Sequence, residues 1–299
     1  MEKNTIQHTR LLYMRAGVLA ISFVCVMLFV SYTHTQRAVS TCDVARLCVA
    51  FLDVGQGDSI YIRSPSGTSM LIDGGKDVAV LRELPKVMPK NSRSITYVVA
   101  THPDMDHVGG LASVIENYEV KTFITIESDK ETKATERLHR VVVDKNVNRV
   151  VAYSGDVYDL KDGVTAQVLY PFKNIETEDA NEESIVIMVT YGASSFLLTG
   201  DAPMSAEHAM VHTYEEGGRA DVLKAGHHGS KTSSSPYFLA AVQPSIAIIS
   251  AGKDNSYGHP HQNVIENLSA AGAQILNTTE NGTIIMETDQ QKITARRAP

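Results

Sequence analysis

Four potential metal ligands fall within six residues, His102-Pro103-Asp104-Met105-Asp106-His107, directly after the apolar run 95–100 (ITYVVA). A wholly apolar run of this kind reads as a central strand covered on both faces. Histidines and aspartates crowded at the exit of such a strand have no packing role. Without a cation to hold them they would repel one another and lose hydration. A solvated loop before a helix explains one carboxylate, with Asp106 as an N-terminal cap. It leaves the other three groups unexplained, so the loop is expected to face a bound metal.

Three further clusters follow apolar runs in the same way. Gly200-Asp201 ends the run 196–199, Ala225-Gly226-His227-His228-Gly229-Ser230 ends 221–224, and Tyr257-Gly258-His259-Pro260-His261 comes shortly after 245–250. Singly, Gly-Asp reads as a turn and His-Pro as less. Jointly they place active-site loops at strand ends, as α/β scaffolds do. Strands are expected at 48–53, 58–63, 69–73, 95–100, 120–125, 148–152, 164–170, 184–191, 195–199, 220–225, 245–250, 273–277 and 282–287. Helices are expected at 78–88, 107–117, 130–143, 203–214, 236–242 and 261–271. Strands first, then strands mixed with helices in both halves, predict two sheets packed face to face with helices outside.

The N-terminus carries a separate signal. Residues 16–30 (AGVLAISFVCVMLFV) are uninterrupted apolar or small, with Arg10 and Arg15 before them. Together with 11–14 the run approaches the ~20 residues that span a bilayer, and the basic flank favours a cytoplasmic N-terminus. The expected organisation is a cytoplasmic 1–15, a transmembrane signal anchor at 16–32, a linker at 33–47 and one domain over 48–299. A signal peptide cut after Ala38-Val39-Ser40 is the alternative, giving a secreted chain. Retention is favoured because no cleavage site stands close to the end of the apolar run.

Charge narrows the partners. The chain has a net charge of −7, but residues 1–40 hold four basic residues against one acidic, so the remaining 23 basic and 33 acidic residues give −10. An acidic domain has no broad field attracting nucleic acid; a phosphate substrate would rely on bound metal and a few local cations. Cys42 and Cys48 either close a short disulfide loop in an oxidising compartment or leave Cys48 as a reduced core residue. In the loop 229–236, Ser235 is a good N-cap with Pro236 at the first helical position. Its hydroxyls, Lys231 and helix N–H groups suit a phosphate, or form an ordinary polar connection.

The segment His102-Pro103-Asp104-Met105-Asp106-His107-Val108-Gly109-Gly110 resembles the HxHxDH motif of the metallo-β-lactamase superfamily, with aspartate in place of the second histidine. Phe51-Leu52-Asp53-Val54-Gly55-Gln56-Gly57-Asp58, Leu71-Ile72-Asp73-Gly74-Gly75, Asn181-Glu182-Glu183-Ser184-Ile185-Val186, Thr199-Gly200-Asp201, Gly226-His227-His228-Gly229-Ser230 and Gly258-His259-Pro260 are similar to its ComEC-type branch, found in bacterial DNA-uptake proteins. The resemblance covers about residues 48–288. It implies an α/β fold, the αββα four-layer sandwich, here with an N-terminal transmembrane helix.

The resemblance also implies two divalent ions. His102 and Asp104 would hold one, Asp106 and His107 the other, with Asp201 bridging and His227 or His228 completing a shell. The family's third-motif histidine is missing; Asn181 stands near its place, as a weak ligand or behind the ligands. Oxygen for nitrogen makes the site harder, so Mn²⁺ or Mg²⁺ becomes plausible beside Zn²⁺. Asp106 would accept or orient the proton of an activated water, and His228 or His259 would stabilise the developing charge or protonate the leaving group. The function implied is a phosphodiesterase or nuclease acting on DNA outside the cytoplasm, with a separate DNA channel as partner. Other hydrolases of the fold (lactonase, thioesterase, β-lactamase) are opposed by Asp104 and the missing histidine, and a non-catalytic metal-binding membrane module by the retained ligands.

Overall fold

In the computed structural model, residues 22–27, 42–90, 92–127, 132–173, 177, 179–214 and 218–298 are described. The described residues from 42 to 298 form one compact unit. Of the expected anchor at 16–32 only 22–27 is described, as helix; the rest of that expectation lies outside the described residues. Among the described residues no helix is long and apolar enough to cross a membrane.

Two sheets make up the described part of the main unit. The first runs β15-β14-β1-β2-β3-β4-β5-β6, from strands Leu47–Phe51 (β1), Ile60–Arg63 (β2), Ser69–Ile72 (β3), Ser94–Val99 (β4), Glu119–Thr125 (β5), Asn148–Val151 (β6), Ile284–Thr288 (β14) and Ile293–Arg297 (β15). The second runs β13-β12-β11-β10-β9-β8-β7, from Val157–Lys161 (β7), Val164–Tyr170 (β8), Val186–Tyr191 (β9), Ser194–Leu198 (β10), Val222–Lys224 (β11), Ile246–Ile249 (β12) and Gln274–Asn277 (β13).

Side-chain alternation sets the layers. Val49 and Phe51 join Ile60, Ile62, Val168, Ile187, Phe196 and Val222 in a core between the sheets. Their neighbours Cys48 and Ala50 face the other way, onto Val80, Leu84, Leu111, Val114 and Leu138 from helices Ala79–Val87 (α1), Leu111–Asn117 (α3) and Lys133–Asp144 (α4). The second sheet's outer face meets Met210, Phe238, Leu239, Val264 and Leu268 of helices Met204–Tyr214 (α5), Pro236–Val242 (α6) and Gln262–Ala270 (α7). A period of two in strands with both faces buried yields helix, sheet, sheet, helix. The expected αββα sandwich is the fold observed.

Local differences have local causes. The helix expected at 107–117 is two, Met105–Val108 (α2) and α3, parted at Gly109 and Gly110. A Cβ at Gly109 would lie 2.0 Å from the Lys76 carbonyl oxygen, and one at Gly110 would lie 2.2 Å from that of Gly74. The glycines thus let the metal loop pack directly on the β3–α1 turn. Strands β7 and β15 are absent from the expected set; both are sheet edges, and β7 buries only Leu160. Residues 42–47 of the expected linker pack on the domain, where Cys42 is bonded to Cys48 and Asp43 N–H donates to Glu287 Oε1.

Candidate metal centre

The loops named by the sequence meet at one end of the two sheets. His102, Asp104, Asp106 and His107 leave β4; Asp201 leaves β10; His227 and His228 leave β11. Asp201 is the point of convergence. One or other of its carboxylate oxygens lies 3.9 Å from His102 Nε2, 3.2 Å from His107 Nε2, 3.6 Å from His227 Nε2 and 3.4 Å from His228 Nε2. Asp106 Oδ2 is 3.3 Å from His228 Nε2, and Asp104 Oδ2 is 3.9 Å from His102 Nε2. The geometry thus gathers all five side chains around Asp201, with Asp106 against His228, Asp104 against His102, and the His102 and His107 ring centres 4.0 Å apart.

Three buried imidazoles present the same nitrogen to this centre. Thr101 Oγ1 donates to Asp73 Oδ2 at 2.7 Å, which leaves its oxygen to accept His102 Nδ1–H at 3.0 Å. His107 Nδ1 is held by Asp73 Oδ2 at 2.7 Å, and His228 Nδ1 donates to the Ser250 carbonyl at 3.0 Å. Each ring is therefore oriented from behind with Nε2 aimed inward, the arrangement that fixes the tautomer of a metal-ligating histidine. His102 Nε2 is shielded from solvent with no hydrogen-bond partner, and Asp201 Oδ1 is equally shielded, faced at close range by His107 Nε2 at 3.2 Å. Buried polar atoms without partners are costly unless a ligand satisfies them. The residues present fit a divalent cation.

Electrostatics agree. Burial alone would raise Asp201, but His107 and His228 outweigh it and hold its carboxyl well below the usual range. Asp106 is likewise lowered against burial by His228 and His107. Burial opposes charge on His107 and His228, yet Asp201 and its neighbours raise the first well above its ordinary value and the second to about 9. Burial, then repulsion from His107, drives His102 down to about 4. A centre this rich in carboxylate draws protons onto its histidines when no metal neutralises it.

A pH dependence follows. A histidine raised in the fold adds stability in full below about 6.5, lost as pH climbs through the folded value, about 9 for His228. Metal requires the neutral imidazole and displaces that proton. The gap in Tm between metal-loaded and chelator-treated protein is therefore expected to widen from pH 6.5 to 9. Thermal melts at matched ionic strength measure it, and a gap that stays flat with pH rules out proton displacement at these histidines.

The remaining expected residues lie around this core. His227 is partly exposed at the rim, with Nδ1 3.2 Å from Thr232 Oγ1. His259 is half-buried; its ring centre is 5.5 Å from that of His227 and 6.2 Å from that of His228. Burial and the nearby histidines push its pKa to about 4. Asn181 sits in the short turn Ala180–Glu183, its Oδ1 shielded and without a hydrogen-bond partner among the described residues. Ser184, at the end of that turn, accepts Asp201 N–H at 3.3 Å. Lys231 is exposed, and its backbone N–H donates to His261 Nδ1 at 3.2 Å.

Of the two readings of the loop 229–236, phosphate holder or ordinary polar connection, its internal bonds fit the second. Ser235 does cap α6, accepting from Phe238 N–H at 3.2 Å. The N–H groups of Ser234 and Ser235, however, both donate to the carboxylate of buried Glu207 from α5. An internal anion already occupies the place a phosphate would take, because packing α5 against this loop buries an acid that needs donors.

Sequence reasoning also missed the layer behind the ligands. Asp73 orients both His107 and Thr101 from a left-handed backbone (φ 58°), and His227 and His228 share that conformation at φ 48° and 56°. Such strain in residues other than glycine gathers at functional sites. Asp58 approaches the Nδ1 side of His228 at 3.4 Å and pairs with Lys224 Nζ at 2.5 Å. Asp58, His107, Asp201 and His228 all place ligand atoms within 4.8 Å of one another. Asp58 is nonetheless committed to Lys224, whereas Asp106 faces His228 Nε2, so Asp106 is the better ligand. Lone lysine in the apolar run 222–224 was the available signal for this pair.

A two-sheet sandwich with helices outside and a histidine–aspartate centre at one end defines a metal-site α/β hydrolase fold. Residues 52–253 match the model of the metallo-beta-lactamase superfamily, and the chain belongs to that family. Among curated proteins it is 31% identical over 253 residues to ComE operon protein 3 of Bacillus subtilis, covering 79% of this chain and 32% of that protein. It is 31% identical over 290 residues to Recombination protein 2 of Haemophilus influenzae, covering 95% and 34% respectively. It is 30% identical over 258 residues to Competence protein ComA of Neisseria gonorrhoeae, covering 86% and 34%. These are ComEC-type competence proteins, and the chain spans about a third of their length. Of solved structures, the metallo-beta-lactamase fold protein YhfI of Bacillus subtilis superposes with a TM-score of 0.57 at 11% identity, covering 81% of this chain and all of that one. Igni18, a metallo hydrolase of Ignicoccus hospitalis, gives 0.51 at 14%, covering 81% of this chain and 100% of that one. Both likenesses speak to the fold alone.

Proposed function

We propose that this chain is a metal-dependent phosphodiesterase acting on DNA outside the cytoplasm, tethered to the cell membrane by residues 16–32. The observation that carries it is the convergence of three oriented Nε2 atoms on Asp201, with the Asp104 and Asp106 carboxylates beside two of them. Similarity to competence and recombination proteins directs that chemistry toward DNA. His102, Asp104 and Asp201 would hold one divalent ion; Asp106, His107, His228 and Asp201 the other. The oxygen-rich first set suits Mn²⁺ or Mg²⁺ as well as Zn²⁺. When bound, such ions lower the pKa of a water and stabilise charge on a phosphoryl group. Asp106, held anionic, would orient a water at the centre or accept its proton. His259, neutral at the rim, donates a hydrogen bond to the charge developing on substrate. The Cys42–Cys48 disulfide and the basic flank before 16–30 support an extracytoplasmic domain; a DNA channel is the partner proposed.

The test is hydrolysis of bis-(p-nitrophenyl) phosphate and of single- and double-stranded DNA by the full chain loaded with Mn²⁺ or Zn²⁺. Metal-dependent release of nitrophenol and shortened DNA are expected. Turnover of lactones, thioesters or β-lactams instead would move the chain to another hydrolase class. Stoichiometric metal without turnover of any of these would make it a binding module.

A further inference from the structure

A cleft of about 310 Å³ opens beside the centre, and the Asp106 carboxylate forms part of its wall. Met105 and Tyr257 both line it, 52% and 63% exposed. A ring and a thioether left in water at the mouth of a metal centre present apolar surface that a flat ligand would cover.

The Tyr257 loop is built to hold that exposure. Asn255 Oδ1 accepts from the N–H of Tyr257 and of His259 at 3.2 and 2.9 Å. Asn255 Nδ2 donates to the carbonyls of Gly252 and His259 at 2.9 and 2.6 Å. Gln56 Oε1 accepts Gly252 N–H at 3.0 Å, while its Nε2 reaches Asp106 Oδ2 at 3.5 Å. The Tyr257 ring stacks on His259, with centres 5.6 Å apart and planes 21° apart. The ring is therefore presented on a fixed support, and its outer face is free.

These bonds also say what the cleft reads. The amides of Gln56 and Asn255 are spent inside the protein, so they offer little to discriminate base edges. What remains is a ring face, the Met105 thioether, the exposed side chains of Asp254 and Ser256, and the exposed ammonium of Lys76, which forms no ion pair among the described residues. Stacking plus one cation is the recognition used for unpaired nucleotides irrespective of sequence. A duplex hides its base faces and depends on broad backbone electrostatics, which a region of net charge −10 opposes.

We propose that this cleft is a nucleobase subsite: an unpaired base next to the scissile phosphodiester stacks on Tyr257 against Met105, and Lys76 takes an adjoining phosphate oxygen. The proposal rests on the phosphodiesterase reading and adds to it the strand state of the substrate and the residue that docks it.

The experiment measures binding of a fluorescein-labelled, cleavage-resistant phosphorothioate oligothymidylate to the full chain with Mn²⁺, beside an abasic oligomer of equal length. Wild type is expected to prefer the base-bearing strand by about tenfold, within the range stacking gives. Tyr257→Ala should reduce that preference to less than about twofold, while Tyr257→Phe, which keeps the ring, retains it. Melting curves check that the exposed substitution leaves the fold intact. No preference in wild type, or a preference that survives Tyr257→Ala, overturns the subsite. Metal-dependent hydrolysis of bis-(p-nitrophenyl) phosphate in the same preparation reports on the phosphodiesterase reading separately, so either can fail while the other stands.

Discussion

Asp201→Ala is expected to lower metal-dependent phosphodiester hydrolysis by at least about 10³-fold. Among the described residues Asp201 is the carboxylate approached by His102, His107, His227 and His228 together, and Lys224 Nζ lies 3.9 Å from its Oδ1. Removing it takes the shared anion from both halves of the ligand set. A metal's stabilisation of transition-state charge is worth several kcal/mol, and each ~1.4 kcal/mol is tenfold in rate. Asp201→Asn keeps the shape and loses the charge, so it is expected to fall nearly as far. The measurements are kcat/KM on bis-(p-nitrophenyl) phosphate with Mn²⁺, and metal content after gel filtration. Activity within tenfold of wild type at unchanged metal content would show that hydrolysis happens elsewhere.

That residue was legible in the sequence because its signal is local: a glycine-aspartate stop on an apolar run. The same holds for His102, Asp104, Asp106 and His107, crowded behind 95–100, and for His227 and His228 behind 221–224. The sandwich was legible through alternation, as Val49 and Phe51 go to one core and Cys48 and Ala50 to another. Edge strands β7 and β15 escaped because charged residues break up their apolar pattern (VYDLK, ITARR), whereas edges β6 and β13 keep adjacent apolar pairs. The residues behind the ligands escaped for a different reason. Asp73 meets His107 across 34 residues of chain, and Glu207 meets Ser234 across 27; each alone reads as a turn or a helix-surface acid. Contacts of this kind are set by how elements pack, which spacing along one chain does not encode. The Cys42–Cys48 pairing was open for the same reason, until β1 and the α1 end fixed both Cα atoms 5.7 Å apart.

Lys224→Met is expected to destabilise the chain by about 3–5 kcal/mol, the usual cost of leaving one member of a buried ion pair behind. Lys224 is fully buried and Asp58 is 1% exposed. Lys224 Nζ lies 2.5 Å from Asp58 Oδ2 and donates to the Gly200 carbonyl at 3.1 Å. Burial would raise Asp58, but Lys224, then His228, outweigh it and hold its carboxyl below the ordinary value of 3.8. In wild type that lowered pKa contributes stability above the unfolded value, lost only as pH falls through the folded one. Without the lysine the strongest charge opposing burial is gone, so the carboxyl rises, and the fold must either carry a buried anion faced by His228 or take up a proton. The deficit of Lys224→Met should therefore be large at pH 8 and shrink at pH 5, where protonation relieves it. Adding Asp58→Asn removes the stranded charge, so the double variant should be more stable than Lys224→Met alone at pH 8. Urea unfolding in chelator at the two pH values measures both effects. Equal deficits at pH 5 and 8, or simple additivity in the double variant, would mean that Lys224 acts by filling space and not by pairing Asp58.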